Sequence, residues 1–338
     1  MTTYEYVWID GMGGLRSKSR VLSRDYTYVD ELPLWNYDGS STGQAEGTDS
    51  EINLVPRASF NSNNNCSYLP CLVLCDTFLP DGTPCPSNKR HGANIIFDKA
   101  SKEESWFGLE QEYFICSKET GLPLGYDKNK DQGQYYCSVG TGNAYGRDLV
   151  DEHFNVCKQV GIHIAGINSE VAPGQWEFQI GICEGIELGD HLWMARYLLH
   201  RLSEKYNYIV DFSPKLLPGK WNGSGCHANF STKNMRLGSN GKTGLEYINE
   251  AVTKLSHKHQ EHMAVYGDNN HLRMTGECET ASYDVFSDGV ANRGASIRRG
   301  HGTIQDNCGY FEDRRPASNC DPYLVTSKLV ETCCNIEK

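Results

Sequence analysis

The sequence predicts an α+β protein with a small β-rich N-terminal domain and a larger domain that combines strands with helices. The first third contains short apolar segments separated by glycine and asparagine, whereas the rest of the chain alternates strand and helix patterns. Prolines and a glycine cluster at 80–86, between these two parts, and such residues are typical of turns and linkers. A chain of 338 residues is also long enough for two unequal domains, which we place at 1–85 and 86–338.

The individual elements are predicted from apolar periodicity. Strands of the N-terminal domain are predicted at Tyr4–Ile9, Arg20–Leu22, Glu51–Val55 and Cys71–Phe78, with a polar loop at Asn61–Asn65. Helices are predicted at Gly185–Asn207, at Glu246–Val265 and from near Ser318 to about Cys334. The second of these helices carries three histidines, His257, His259 and His262. We interpret them as part of a solvated polar face rather than as metal ligands.

The composition excludes several classes of partner. The formal net charge is −11, so the chain as a whole repels nucleic acid and anionic membrane surfaces. No apolar run approaches the roughly 18 residues that span a bilayer, and the start of the chain lacks the pattern of a signal peptide. The 14 cysteines lack the paired spacing of zinc knuckles. We therefore expect reduced thiols in a cytoplasmic protein without nucleic-acid or membrane partners.

Two segments place pairs of glutamates close together. In the first, strand periodicity puts Glu110 and Glu112 on one face. In the second, Pro173 and Gly174 make a turn, and a hairpin-like return would bring Glu170 and Glu177 together. Neighbouring carboxylates repel unless solvent or a divalent cation relieves the repulsion. The pattern therefore fits either surface acids or metal ligands.

Two further segments add a histidine and an acid–base pair. His227, Asn229 and Ser231 fall on one face of a predicted strand, and Glu312 and Arg314 project together from another. A lone strand histidine is more often structural than a ligand. If the segments do form one site, oxygen ligands with a single histidine and no thiolate cluster fit Mg²⁺ or Mn²⁺ better than zinc.

Arginines are concentrated towards the C-terminus of this acidic chain. Guanidinium groups bind phosphate and carboxylate through paired hydrogen bonds, although they also form surface ion pairs. We interpret this set as a phosphate or carboxylate site: Arg273, Arg293, Arg298, Arg299, Arg314 and Arg315.

Two glycine-rich segments are excluded as phosphate loops. Gly238–Thr243 lacks the first glycine of a P-loop, and Gly140–Gly146 misses the dinucleotide-binding spacing by one residue.

Successive segments, taken in order, resemble glutamine synthetase of the eukaryotic type over nearly the whole chain. The segments are Trp35–Gly43, Trp106–Tyr113, Val171–Gly181, Trp221–Thr232, Asn292–Arg298 and Phe311–Tyr323. The resemblance implies a β-grasp N-terminal domain and a catalytic domain whose antiparallel strands form a funnel with helices outside. It also implies a homo-oligomer of stacked rings, a decamer, with active sites between adjacent subunits.

The reaction implied by the resemblance is the ATP-dependent ligation of ammonia to the γ-carboxylate of L-glutamate, through γ-glutamyl phosphate. ATP would be a co-substrate, together with about two or three Mg²⁺ or Mn²⁺ ions per site. The implied metal ligands are Glu112, Glu170 and Glu177 for one ion, and Glu110, His227 and Glu312 for the ion nearest ATP.

The resemblance also implies roles in substrate binding and catalysis. The implied nucleotide contacts are Trp106, Glu177, Asn229, Phe230, Ser231, Arg293, Arg298, Tyr310 and Phe311. The implied contacts to glutamate or to the transferring phosphoryl group are Ser41, Glu110, Lys220, Trp221, Asn222, Arg273, Arg293 and Arg314. The implied catalytic residues are Asp38, Glu279, Arg293, Arg298 and Arg314. Asp38 of a neighbouring subunit would bind ammonium and take its proton, and Glu279 would close over the site and exclude water.

Three residues depart from the family pattern. Cys278 stands where histidine is usual, Lys220 where asparagine is common and Ile182 where proline is usual, and we expect these changes to alter substrate affinity more than chemistry. The chain begins almost at its first strand, without the N-terminal segment of many relatives. Ring formation is therefore a firmer expectation than ring-to-ring packing.

Three other functions are alternatives at this stage. A related ligase for another amine would share the metal ligands but differ around Asp38. A non-catalytic relative would have lost metal ligands, whereas all six positions carry suitable residues. A metal-dependent phosphatase or nuclease would leave the arginines and the Asp38 segment unexplained.

Overall fold

The N-terminal part of the chain forms a five-stranded sheet. The computed structural model describes residues 1–61 and 70–337. The strands are β1 (Thr2–Ile9), β2 (Leu15–Leu22), β3 (Trp35–Asp38), β4 (Glu51–Phe60) and β5 (Cys71–Phe78). Their order is β2-β1-β5-β4-β3, with β1 and β5 parallel and the other neighbours antiparallel. Alternate β1 residues Tyr4, Tyr6 and Trp8 pack in a core with Leu54 and Val73, as a half-buried strand requires.

The rest of the chain alternates strands and helices. In chain order the elements are α1 (Lys89–Lys99), β6 (Trp106–Ser117), α2 (Arg147–Gln159), β7 (Ile164–Ser169), β8 (Gln175–Glu184), α3 (Glu187–Tyr206), β9 (Tyr208–Asp211), β10 (Cys226–Ser231), α4 (Lys233–Leu237), α5 (Gly244–His257), α6 (His259–Met263), β11 (Asp288–Val290), β12 (Ile297–Arg299), α7 (His301–Asp306), β13 (Phe311–Asp313) and α8 (Pro322–Cys333).

These later strands form a second sheet, of eight strands within the described residues. The order is β11-β12-β13-β10-β6-β8-β7, and β9 pairs with one end of β6. β11 and β12 are parallel, and the other pairs are antiparallel. The predicted combination of helices with largely antiparallel sheets is confirmed. β6 is the central strand, so residues on its polar face have neighbours on both sides.

One face of this sheet is apolar and is covered by a helix. Phe107 and Leu109 of β6, and Phe178 and Ile180 of β8, are fully buried. The long helix α3 contacts β6, β8 and β9. Its apolar stripe includes four buried residues at the predicted spacing, namely Leu188, Leu192, Ala195 and Leu199. Because this face is buried against α3, the polar side chains of the same strands point away from α3, on the other face of the sheet.

The chain divides into two compact units. One comprises Met1–Ile95 and Val156–Ile162, and the other comprises Ile96–Asn155 and His163–Lys338.

Among the described residues, no helix is both long enough and apolar enough to cross a membrane. The polar loop predicted at Asn61–Asn65 lies, beyond its first residue, outside the described residues.

Several element boundaries differ from the predictions. β2 begins five residues earlier than predicted and β4 ends five residues later, because polar side chains on an exposed strand face hide the periodicity. The predicted helix Glu246–Val265 is two helices, α5 and α6, with Lys258 between them at φ −109° and ψ 16°. The C-terminal helix begins at Pro322 rather than near Ser318. Asp321 caps it by accepting hydrogen bonds from the main-chain N–H groups of residues 323 and 324.

Candidate active site

Glu110 and Glu112 lie on the polar face of the central strand β6. Register places Glu110 between His227 on β10 and Gln179 on β8, and it places Glu112 opposite Glu177 on β8. The side chain of Asn229 donates to Glu110 Oε1 at 2.8 Å. The two glutamates are therefore inside a sheet surface and not at a solvated edge.

His227 lies among three of the glutamates. Its Nδ1 is 3.5 Å from Glu110 Oε2 and 3.6 Å from Glu312 Oε1, and its Nε2 is 3.8 Å from Glu112 Oε1. Burial, followed by the nearby positive charge of Arg314, lowers the pKa of His227 well below its ordinary value. A neutral imidazole among carboxylates has a lone pair available for a cation.

Glu312 is held by two arginines. Arg298 and Glu312 are paired positions on β12 and β13, and Arg298 Nε is 2.5 Å from Glu312 Oε2. Arg314 NH1 contacts the other oxygen, Glu312 Oε1, at 2.6 Å. Arg314 also donates through Nε to the main-chain oxygen of Arg293 at 3.0 Å. We call the six predicted metal ligands the acidic group, and we call Arg293, Arg298 and Arg314 the arginine group. The carboxylate of Glu312 belongs to the first and contacts two members of the second.

Glu170 and Glu177 are the carboxylates of the acidic group that come from β8 and the turn before it. The turn between β7 and β8 requires Gly174, which has φ +67° and would place a Cβ 2.9 Å from the main-chain oxygen of Ile115. Burial, and then the charges of neighbouring carboxylates, raise the pKa of Glu170 to about 9 and that of Glu177 to about 8. Desolvation likewise raises the pKa of Glu112 to about 7. Added positive charge would return all three to their ionised form.

The six predicted metal ligands thus converge from β6, β8, β10, β13 and the β7–β8 turn. One ligand atom from each of Glu110, His227 and Glu312 lies within 4.8 Å of the others. The donors are carboxylate oxygens and one imidazole, the set that Mg²⁺ or Mn²⁺ accepts. Gly225 leaves room beside them, because a Cβ there would lie 2.7 Å from His227 Nε2 and 3.0 Å from Arg273 NH1. The residues present fit divalent cations.

A cavity of about 370 Å³ adjoins the acidic group. Glu110, Asn229, Ser231 and Tyr310 line it, together with Trp106 at its apolar side. Its size falls within the range of small-molecule sites, about 300–1,000 Å³. The rings of Phe230 and Phe311 are buried in the core, 5.6 Å apart between centroids. Neither residue therefore offers a ligand an exposed ring.

Arg273 is buried beneath the acidic group. Its Nε donates to Asn270 Oδ1 at 3.0 Å, and its NH2 donates to the main-chain oxygens of residues 314, 315 and 316. Burial, opposed by the charge of Glu112, lowers its pKa to about 10. Most of its donors therefore position the main chain that carries Arg314, which leaves less of the guanidinium for a substrate than the sequence predicted.

Lys220, Trp221 and Asn222 lie in one loop. The Asn222 main-chain N–H donates to Gln132 Oε1 at 2.6 Å, and Gln132 Nε2 donates back to Asn222 Oδ1 at 2.8 Å. Cys278 Sγ donates to the Lys220 main-chain oxygen at 3.1 Å. The loop is therefore tied to the segment that carries Glu279.

Glu279 lies in a strained turn. The backbone φ angles of Cys278 and Glu279 are +50° and +67°, values that residues other than glycine rarely adopt. The Glu279 carboxylate pairs with Arg293 NH2 at 2.5 Å, and its charge also acts on Glu170. Strain of this kind is typical of functional turns.

Asp38 and Ser41 belong to the N-terminal unit. The Asp38 carboxylate is exposed and accepts hydrogen bonds from Ser40 N at 3.0 Å and Ser40 Oγ at 2.6 Å. These bonds lower the pKa of Asp38. Asp38 therefore presents a negative charge to solvent or to another molecule.

Comparison with known proteins identifies the family. A family model described as glutamine synthetase, catalytic domain, matches residues 94–335. The chain belongs to the glutamine synthetase family.

Relatives of this family match almost the whole chain. A putative glutamine synthetase of Acanthamoeba polyphaga mimivirus is 53% identical over 333 residues, covering 98% of this chain and 93% of the relative. The cytosolic isozyme 1-3 of glutamine synthetase from Arabidopsis thaliana is 53% identical over 338 residues, covering 97% and 93%. A glutamine synthetase of Agaricus bisporus is 51% identical over 335 residues, covering 97% and 92%. The resemblance to glutamine synthetase seen in the sequence is confirmed.

Two residues of the cavity were missed by sequence reasoning. The Arg236 guanidinium lies 3.7 Å from the ring centroid of Trp106, and its NH1 donates to the Ser231 main-chain oxygen at 3.2 Å. Gln179 lines the same cavity and donates to Glu177 Oε1 at 2.8 Å. Gln179 shares the polar face of its strand with Glu177, a signal that was available. Arg236 had no such signal, because a single surface-type arginine after a strand has no diagnostic pattern.

The interpretation of the α5–α6 histidines was wrong for two of the three. His259 and His262 are buried, not solvated. His262 Nδ1 is 2.6 Å from the Tyr266 hydroxyl and its Nε2 is 2.8 Å from Thr332 Oγ1, while His259 Nε2 is 2.9 Å from the Tyr283 main-chain oxygen. The break at Lys258 turns α6 towards the interior. The ring nitrogens of His259 and His262 therefore hold α6 against neighbouring segments through structural hydrogen bonds.

Proposed function

We infer that this chain ligates ammonia to the γ-carboxylate of L-glutamate with ATP, giving glutamine, ADP and phosphate. One observation carries the inference beyond family membership. Glu110, His227 and Glu312 meet beside a cavity of small-molecule size, while Arg298 and Arg314 contact the same Glu312 carboxylate. Cation ligands, a nucleoside-sized space and guanidinium groups are the parts that phosphoryl transfer requires.

We propose two groups of cation ligands within this site. Glu112, Glu170 and Glu177 form one group, and Glu110, His227 and Glu312 form the other. Mg²⁺ or Mn²⁺ bound there would neutralise phosphate oxygens during the transfer. The raised pKa values of Glu112, Glu170 and Glu177 support the proposal, because so many carboxylates in a desolvated space need positive charge to be ionised together.

ATP is proposed to lie in the cavity with its phosphates towards Glu110. Trp106 and Tyr310 offer ring surfaces, and Asn229 and Ser231 offer polar atoms. Phe230 and Phe311 would contribute main-chain contacts. Glu177, Arg293 and Arg298 would face the phosphates, which is consistent with the contacts of Arg298 to Glu312 and of Glu177 to the cavity residue Gln179.

Glutamate is proposed to bind beside the arginines, with its γ-carboxylate towards the phosphates. Arg293 and Arg314 would hold carboxylate or phosphoryl oxygens, and Arg273 would chiefly position the Arg314 segment from below. The loop containing Lys220, Trp221 and Asn222, together with Glu110 and Ser41, completes the proposed substrate contacts. A carboxylate oxygen then displaces ADP from the γ-phosphorus atom, and the product is a γ-glutamyl phosphate whose phosphate is a good leaving group.

Ammonia then replaces that phosphate. Asp38 of a neighbouring subunit is proposed to bind ammonium and to take one proton, and its lowered pKa keeps it anionic for the first task. The free ammonia attacks the acyl carbon and phosphate leaves. Glu279, on its strained turn, is proposed to close the site so that water does not reach the acyl phosphate.

The assembly follows from the same proposal. We propose domains at 1–85 and 86–338, the first a β-grasp domain and the second a funnel lined by the larger sheet. A homo-oligomer of stacked rings, as a decamer in the cytoplasm, would place each Asp38 at a neighbouring site. Several relatives are named cytosolic isozymes, which supports this location.

Release of ADP from ATP, Mg²⁺ and glutamate, with and without ammonium, tests the function. We expect strong dependence on ammonium and one glutamine for each ADP. Competition with hydroxylamine and with larger primary amines distinguishes an ammonia ligase from a ligase for another amine. Ammonium-independent ADP release, or preference for a larger amine, would exclude the proposal.

A further inference from the structure

Two histidines and a cysteine form a cluster that the proposed reaction does not use. One ring nitrogen each of His163 and His191, together with Cys183 Sγ, lie within 4.8 Å of one another. The imidazole rings are stacked, with centroids 4.4 Å apart and planes 21° apart. Cys183 Sγ is 3.6 Å from His163 Nδ1. Within the described residues, this cluster and the acidic one are the two groups with ligand-like spacing.

The spacing matches a tetrahedral metal site. Zinc bonds of about 2.0–2.1 Å to nitrogen and about 2.3 Å to sulfur place two tetrahedral ligands roughly 3.3–3.6 Å apart. The sulfur–nitrogen separation of 3.6 Å is already at this value. His191 Nδ1 accepts a hydrogen bond from the His163 main-chain N–H at 3.2 Å, so this nitrogen carries no proton, and a metal bound there would replace that hydrogen bond. Small rotations of the two rings would complete three ligand positions.

The three side chains come from regular or tightly bonded segments. Cys183 is on β8 and pairs with Phe107, and His191 is in the second turn of α3. His163 immediately precedes β7, and its main-chain oxygen accepts a hydrogen bond from Gly181 N at 2.7 Å. Ligands on such supports lose little conformational freedom when a metal binds. His163 is exposed, which gives an ion a route from solvent.

The cluster is separate from the acidic site. Cys183 pairs with Phe107, which is three residues from Glu110 on β6, and this spacing corresponds to roughly 10 Å. The ligand chemistry also differs, because a thiolate and two imidazoles suit zinc, whereas carboxylates suit Mg²⁺. The two sites would therefore select different ions from the same solution.

We propose that His163, Cys183 and His191 bind one Zn²⁺ ion, with water as a fourth ligand. Binding replaces the thiol proton with a zinc–sulfur bond, and the proton goes to solvent. The ion links β8, α3 and the residue before β7. Because Ala165, Gly181 and Ile182 of these segments line the cavity, the ion would brace one cavity wall. The proposal does not depend on the proposed function.

Cobalt substitution tests this site in the intact protein. Protein stripped with a chelator is returned to excess Mg²⁺, which occupies the acidic site, and is titrated with Co²⁺. A thiolate-to-cobalt charge-transfer band reports a cysteine ligand, and Zn²⁺ should abolish the band by competition. We expect about one Co²⁺ per chain. We expect His163→Ala to weaken Co²⁺ binding by about tenfold or more. Cys183→Ser should remove the band.

Controls separate this outcome from adventitious thiol binding. Cys116→Ser changes another buried thiol of the same sheet, outside both clusters, and should leave the band unchanged. His163 is exposed, so His163→Ala keeps the test valid if Cys183→Ser does not fold. Absence of the band in the wild-type protein, or its persistence in His163→Ala at unchanged affinity, would overturn the proposal. Ammonium-dependent ADP release is measured in parallel, so that failure of either proposal is recognised separately.

Discussion

Arg298 and Glu312 face each other on β12 and β13, with Arg298 Nε 2.5 Å from Glu312 Oε2. Because Glu312 is also within 3.6 Å of His227, this one carboxylate borders both the proposed cation group and the arginine group. A cation bound to an oxygen of Glu312 would leave the guanidinium of Arg298 available for a phosphate.

Replacing Arg298 tests this exchange. We expect Arg298→Ala to lower kcat by about 10²–10³, since a guanidinium would be missing where phosphoryl charge develops. Arg299→Ala is the matched control, because Arg299 pairs with Asp288 and Asn249 instead. That control should change kcat by less than about fivefold. Equal losses in both variants, measured by steady-state glutamine formation, would contradict the assignment.

Replacing Glu279 tests its role in excluding water. Glu279→Ala should reduce glutamine formation by about 100-fold, and the ratio of ADP to glutamine should rise above one because water consumes the acyl phosphate. Both products are measured in the same reaction. Glu277→Ala, at an exposed position in the same turn, should keep the ratio at one. An unchanged ratio in Glu279→Ala would show that Glu279 does not exclude water.

The acidic cluster should make the metal-free protein sensitive to alkaline pH. Folding raises the pKa of Glu170 from 4.5 to about 9, so the folded state binds more protons than the unfolded state between these values. Stability must therefore fall as pH rises through this interval. Calorimetry in EDTA should show a Tm that decreases with pH, and Mg²⁺ should restore it most at the alkaline end.

A variant isolates the contribution of one carboxyl group to this pH effect. Glu170→Gln should flatten the decrease of Tm in EDTA, because the amide cannot ionise. Glu119→Gln, at an exposed position, serves as the control and should retain the wild-type slope. If Glu170→Gln and the control had equal slopes, the cluster would not be the source of the pH dependence.

The cavity wall offers a test of nucleotide binding. Trp106→Ala should raise the KM for ATP about tenfold, because a base would lose its ring contact, with a smaller effect on the KM for glutamate. Trp106→Phe keeps an aromatic ring and should stay close to the wild-type value. Trp106 also supports Arg236, which lies over its ring. A selective change in the KM for glutamate would place ATP elsewhere.

Sites shared between subunits should permit complementation. Asp38→Ala and Arg298→Ala homo-oligomers should each be nearly inactive, whereas coexpression at equal amounts should restore up to about a quarter of wild-type activity. The fraction arises because one proposed site in four would receive both intact residues. Sedimentation should confirm that mixed oligomers form. Mixed oligomers without restored activity would exclude the contribution of Asp38 from a neighbouring subunit.

The polar faces of individual strands were predictable because they depend on local geometry. Side chains alternate along a strand, so the sequence alone placed Glu110 beside Glu112 and His227 beside Asn229. The turn at Gly174 was predictable for the same reason, since positive φ is a property of single residues. The family could be recognised because these local patterns occur in a fixed order along the chain.

Contacts between distant segments were not predictable in this way. The burial of His259 and His262 depends on residues from Tyr266 to Thr332, and the use of Arg273 depends on main-chain oxygens about forty positions away. The cluster of His163, Cys183 and His191 likewise has no spacing pattern. Each of these contacts depends on how separate elements pack.

The sequence by itself determined which residues carry charge, which strand faces are polar and which family the chain resembles, because these properties belong to short segments. Only the tertiary structure decided that β6 lies between β10 and β8, and so which of those polar faces meet. Strand order is set by the burial of the apolar faces against α3 and the other core elements. That burial is a property of the whole unit, and no segment carries it alone.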